Sequence, residues 1–459
     1  MANKSLITYG AKVGQVEQTY YAPVAVVPPA NTSISQTYCF LAKAEPWPEQ
    51  GNPPIPSQDV KSLKLISKNI FAVKHVTSND IAPVIKRYDW VSGTVYDRYI
   101  DTVDMFELDE NGNPTKFYYV KNRYDQVFKC LWNNNDSPST EEPYFEPGTY
   151  NSSNIFQGTD DYKWKFMYTV DAGSKLKFMD SSWLPVPIGK NIPNPLDNVA
   201  GAGNIDVINV IDGGLGYDPA NSIVSVVITG DGKDAAATAV ISGEVITDIL
   251  VTNPGSNYTY ANVSISTSIG FGAILEISTS PVGGHGFDPI SELGCNHVML
   301  SVEFDGSEGG IIPTDIDYHQ VGLIVNPTTK TLDEAFANYV PASGEIYKTT
   351  TDFIVAPGFG SFTNDEIVYQ GLDLATASFF GRVLSFDPAT NVVRLLNMTG
   401  TPTINSPLKG DTSTTTRTIL SYSEPDFSTF SGYISHIENR DGVTRSTDGI
   451  EQYKFVLGY

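Results

Sequence analysis

Between Tyr162 and Val170 the chain alternates with a period of two. Tyr162, Trp164, Phe166, Tyr168 and Val170 fall on one side, and Lys163, Lys165 and Thr169 on the other. That period predicts a β-strand whose aromatic face lines a core or an interface. The same pattern, in shorter runs, predicts strands over most of 98–195, with Asn111-Gly112 as a two-residue hairpin signal between two of them. A helical spacing stands out at Val60, Leu63, Ile66 and Ile70, where Ser57 is placed to act as N-cap and Asp59 lies in the first turn. Further on, two strands flank a turn at Asp387 to Asn391, and the last apolar run reaches the final residue, as a strand paired in a sheet would.

From about 196 to 290 the pattern repeats itself. "GGLGYDPANSIVSVVITGDGKDAAATAVIS" is echoed by "PGSNYTYANVSISTSIGFGAILEIS", with Tyr217 matching Tyr258, and "GGHGFDP" starts the motif a third time with Phe287 in the aromatic position. Each unit reads as glycine turn, aromatic, strand, small-residue turn and second strand. Such units are expected to stack, each burying its apolar face on the next.

Composition fits this β-rich picture. The 459 residues include 39 glycines, 29 prolines, 25 tyrosines and 22 phenylalanines, which favour strands and turns. With 41% hydrophobic and 18% charged residues, the chain can bury sizeable cores. The net charge of −23, without a dense basic run, argues against nucleic acid as a partner. Cys39, Cys130 and Cys295 are far apart and odd in number, which favours a reducing compartment over a disulfide framework. The first residues lack a secretory h-region, and "APVAVVPPA" falls short of the roughly 18 apolar residues of a membrane span. The expectation is a soluble protein made in the cytoplasm, with no membrane contact.

Candidate chemistry is thin. Asp315, Asp317 and His319 share one side of an extended strand and offer metal-type ligands, but a polar loop leading into the strand "VGLIV" accounts for them as well. His285, Cys295 and His297 lack the further ligands that zinc wants. "DENGNP" and "GDGKDA" resemble fragments of calcium loops without the closing glutamate and read better as hairpin turns. Glu141-Glu142 and Asp160-Asp161 are commonplace in an acidic chain, and no enzyme motif is present. The chain is read as a non-enzyme with no cofactor and no metal.

Several segments, taken in order, resemble the gene-product-8 family of baseplate wedge proteins of T-even-like contractile-tailed phages. They are "FLAKAEPWP", "VIKRYDW", "VFKCLW" and "DYKWKFMYTV" in the first half, then "YHQVGLIVNP" and the closing "SGYISHIENR…GIEQYKFVLGY". The resemblance implies a β-sandwich core with a few short helices, built from 1–195, 291–350 and 421–459. Two β-rich modules, 196–290 and 351–420, are then insertions. It further implies a structural virion protein, assembled in the host cytoplasm, that forms a homodimer. Such a protein joins other baseplate wedge proteins to fibre- or pin-bearing ones and helps transmit the contraction trigger. Two alternatives are a host-surface carbohydrate-binding tail protein using Tyr217, Tyr258 and Tyr260, and a depolymerase, for which no acid/base pair is evident.

The proline-rich "AEPWPEQGNPPIPSQDV" joins a predicted strand to the predicted helix, so it reads as a stiff connector rather than a flexible linker. Trp47 with Glu45, and Trp90 with Arg87 and Asp89, are the candidate interface residues. Each tryptophan is equally placed to be an internal anchor.

Overall fold

The computed structural model describes residues 8–21, 36–49, 51–110, 112–149, 153–189, 203–306, 308–333 and 338–459. The apolar stretch 22–30, Asn111 of the hairpin signal and residues 196–202 of the repeat region lie outside the described residues. The fold is mainly β, with 45% strand and 9% helix. It divides into two compact units: Met1–Gln18, Ala82–Met299 and Val456–Tyr459 form one, and Thr19–Ile81 and Leu300–Phe455 the other. This division cuts across the segments expected to make a single core.

In the second unit, a five-stranded antiparallel sheet runs in the order Ile346–Tyr347, Ile70–His75, Thr37–Ala42, Ile316–Val325, Tyr433–Arg445. Tyr38, Phe40, Val73 and Ile324 form its core with Ile66 of the helix Val60–Asn69. That helix is capped by Asp59, not by Ser57. Asp59 has the extended backbone of an N-cap and accepts from the Ser62 amide at 2.9 Å, while the Ser57 hydroxyl donates to the Asp59 carboxylate at 2.7 Å. A carboxylate at the positive end of the helix makes the better cap, and the serine orients it.

The same unit contains a closed barrel of six strands, from Thr351–Val355 to Thr416–Ser423, filled by Phe353, Val368, Phe379, Val383, Leu395 and Ile419. Closure leaves it no free sheet edge. Its Asp387 turn forms as predicted. The Asp387 carboxylate accepts from the Ala389 amide at 2.9 Å and the Thr390 hydroxyl at 2.6 Å, and Asn391 takes a left-handed φ of 57°.

The first unit holds a sheet ordered Tyr119–Lys121, Gln126–Trp132, Lys163–Thr169, Ile155–Gln157. Its aromatic face carries Phe128, Cys130, Tyr162 and Trp164, as the alternation required. The opposite face is not solvent. Lys163 and Lys165 are both buried, the first paired with Asp248 at 2.7 Å and the second donating to the Ser153 carbonyl at 2.7 Å. Alternation identified a strand, yet the polar side of this strand is covered too.

The two full repeats interlock rather than stack. The first supplies strands Ile208–Leu215, Ser225–Gly230 and Lys233–Ser242; the second supplies Val245–Ser256, Ala261–Ser266 and Phe271–Ile277. The last strand of the first repeat pairs with the first strand of the second, and the last strand of the second pairs with the first strand of the first. The two middle strands pair with each other. The result has the connectivity of a two-fold dimer within one chain. The aromatics are exchanged as well. Tyr258 lies on Gly232, where a Cβ would come within 2.3 Å of the ring, and Tyr217 lies on Gly270, where it would come within 2.6 Å. Phe287 instead covers its own Gly283, and the third motif leads into the short helix Pro289–Glu292. The chain enters and leaves this module at one point, since Asn204 and Ser280 are joined by two hydrogen bonds of 2.8 and 2.9 Å.

Candidate functional site

The two candidate anchors belong to different units, and each spends its polar atom inside the protein. Trp47 Nε1 donates to the Arg440 carbonyl at 3.0 Å, which ties the proline stretch to the strand Tyr433–Arg445. Lys43 Nζ lies 4.5 Å from the indole centre and pairs with Glu45 at 3.2 Å. Trp90 packs beside the Trp164 cluster, and its Nε1 donates to Ser139 Oγ at 3.0 Å. Next to it, Arg87 makes a two-pronged contact with Asp89 at 3.1 and 2.8 Å and donates to the Asp180 carbonyl at 2.7 Å. Lys121 adds a second cation to Asp89 at 3.3 Å. Both tryptophans therefore act as internal anchors within the chain. Of these five residues only Asp89 is exposed.

The densest buried chemistry lies elsewhere in the first unit, around His285, which the sequence had offered only as a possible metal ligand. Lys129 sits in the middle of the strand Gln126–Trp132, every residue of which is buried. Its Nζ is 2.9 Å from Glu292 Oε2 and 3.1 Å from His285 Nδ1, and it stands 4.1 Å above the Tyr99 ring. Glu292 Oε1 accepts from the Gly286 amide at 2.8 Å and the Asp288 amide at 3.2 Å. Tyr99 meets His285 edge-on at 4.8 Å. Burial alone would raise the Glu292 carboxyl, but Lys129 and His285 bring it down to about 2. Burial and the neighbouring Lys129 lower His285, so it is held neutral. All polar partners of the carboxylate are thus supplied by the protein, and the group works as a clasp. It fastens the "GGHGFDPISELG" loop and its helix to the central sheet. Its sequence signals are the lone lysine in "VFKCLW" and His285 of "GGHGFDPISELG".

The weaker constellations do not assemble. Asp315 adopts a left-handed φ of 58°, Asp317 accepts from Thr444 at 2.7 Å, and His319 is buried with Nδ1 3.1 Å from the Lys43 carbonyl. The pairing register shifts between Tyr318 and Gln320, which breaks the regular spacing assumed for the three. His285 belongs to the clasp, His297 packs at a tilt against Trp183 at 4.6 Å, and Cys295 donates to the Val84 carbonyl. Among the described residues, no group of three such side chains is gathered for a metal. Asp231 of "GDGKDA" accepts from Thr259 and Tyr260 of the other repeat, and Asp160 accepts from the amides of Thr140 and Glu141. Tyr217 and Tyr258 are buried, so of the three tyrosines suggested for sugar stacking only Tyr260 is exposed, at 58%. No helix among the described residues is long and apolar enough to cross a membrane.

The chain matches no known family model and no curated protein.

Proposed function

We propose that the protein is a structural component of a phage tail baseplate wedge, acting by holding neighbouring proteins rather than by catalysis. The observation that carries this reading is where the family-like segments lie. "FLAKAEPWP", "YHQVGLIVNP" and "SGYISHIENR" come from opposite ends of the sequence, yet their strands are adjacent in one sheet: Thr37–Ala42 pairs with Ile316–Val325, which pairs with Tyr433–Arg445. "VFKCLW" and "DYKWKFMYTV" are likewise paired neighbours. Segments that resemble the family are therefore framework strands, and the segments without resemblance lie between them in sequence. Contact surface is available on the repeat module, where the cross-strand partners Leu215 and Phe271 are 61% and 73% exposed.

The test is the position of this chain in an intact contractile tail, read by cryo-electron microscopy. Density for the chain in the six-fold ring around the hub supports the reading, and density at a fibre tip removes it. Sedimentation of the purified chain adds a second check, with a dimer expected.

A further inference from the structure

Under the proline stretch the second unit has a half-open cleft of about 370 Å³, within the roughly 300–1,000 Å³ of small-molecule sites. We propose that this cleft binds a neutral saccharide unit.

Half of its polar lining side chains are carboxamides, the others being Ser57, Ser62, Lys43 and Glu45. Gln320 Nε2 donates to Asn439 Oδ1 at 2.8 Å, and Asn439 Nδ2 donates to the Pro54 carbonyl at 2.7 Å, which fixes the roof over the cleft. Asn69 and Asn397 also line it, and neither side chain has a hydrogen-bonding partner among the described residues. Asn69 is only 9% exposed. Both carboxamides therefore keep a donor and an acceptor open for a ligand's hydroxyls. Each carboxamide presents a donor beside an acceptor, which matches the adjacent hydroxyls of a sugar ring.

The charges set the sign of the ligand. Lys43 and Glu45 are the charged residues of the lining, and they pair with each other at 3.2 Å. The cleft therefore offers no unpaired cation to a phosphate or carboxylate and no unpaired anion to an amine. Trp47 and Leu65 supply an apolar wall for the C–H face of a ring. Trp47 is held in place by its bond to the Arg440 carbonyl, so this wall is set before any ligand arrives.

The experiment is saturation-transfer NMR on the full chain, with N-acetylglucosamine, galactose and glucose as probes and the neutral tripeptide Gly-Ala-Gly as comparison. Saturation of at least one sugar is expected. Asn69→Leu and Asn397→Leu are each expected to weaken that binding tenfold or more, and Tyr260→Ala, on the repeat module, to leave it unchanged. Thermal melts confirm that the variants fold, and the half-buried Asn397 carries the comparison if Asn69→Leu does not fold. No transfer to any sugar, transfer that survives the folded leucine variants, or transfer to the tripeptide alone would overturn the assignment.

Discussion

Replacing Glu292 by Gln tests whether the buried clasp holds the first unit together. The exchange keeps the shape, and the amide oxygen can still accept from Gly286 and Asp288, now 2.8 and 3.2 Å from Oε1. What changes is the atom 2.9 Å from Lys129 Nζ, where an NH₂ donor replaces a carboxylate oxygen. Lys129 is then a fully buried cation facing another donor, and removing one partner of such a pair costs about 3–5 kcal/mol. In a unit of this size each kcal/mol moves the melting temperature by roughly 2–4 °C, so a fall of about 6–20 °C is expected. Differential scanning calorimetry is the suitable assay, because the two units need not unfold together and one transition should move while the other stays. The double variant Lys129→Met/Glu292→Gln removes the stranded ammonium and lets the new amide donate to His285, so it should recover most of the loss. A single variant that melts within about 2 °C of wild type, or a double variant as unstable as the single, would refute the reasoning.

Acid should weaken the same unit in two steps. His285 is held below its ordinary value and His297 is lowered to about 4, first by burial and then by Lys86 and Lys12. The unfolded chain therefore takes up protons near pH 6.5 that the folded chain resists, and stability falls as pH drops from there towards 4. Glu292 contributes stability that is complete above about pH 4.5 and is lost as pH falls towards 2. Melts from pH 7 to pH 3 check both steps, and Glu292→Gln should lose the lower one. Gly232→Ala should destabilise by about 1–3 kcal/mol, because its Cβ would lie 2.3 Å from Tyr258 Cγ. A urea titration showing no shift would contradict that packing. Cys39, Cys130 and Cys295 are all buried, and burial raises each thiol's pKa. None should react with a thiol reagent in native buffer, and all three should react in denaturant.

What the sequence discloses is local periodicity, and that part of the fold is legible. The strand Lys163–Thr169 and the helix Val60–Asn69 follow from their spacings. What covers Lys163 and Lys165 was not legible, because their cover comes from Asp248 and Ser153, and alternation carries no information about what lies above a face. The repeat is plain in the sequence, but stacked and strand-exchanged arrangements use the same turns and strands within each unit. Only the pairing of Lys233–Ser242 with Val245–Ser256, and of Phe271–Ile277 with Ile208–Leu215, distinguishes them. The clasp was out of reach for another reason: its lysine and glutamate are 163 residues apart. The tryptophans were singled out as interface candidates with an internal anchor as the other reading; their internal partners, Arg440 and Ser139, had no sequence signature.

The paired bonds between Asn204 and Ser280 have a mechanical consequence. Because the chain enters and leaves the interlocked module at this one fastened point, tension carried along the backbone of the first unit passes from one strand to the other there. Residues 205–279 are then loaded through their side contacts with the framework, the Lys163–Asp248 and Arg98–Glu276 pairs at 2.7 Å among them, rather than along their own backbone. Strain carried along the framework backbone thus bypasses the backbone of the module, which keeps its shape and the surface it presents.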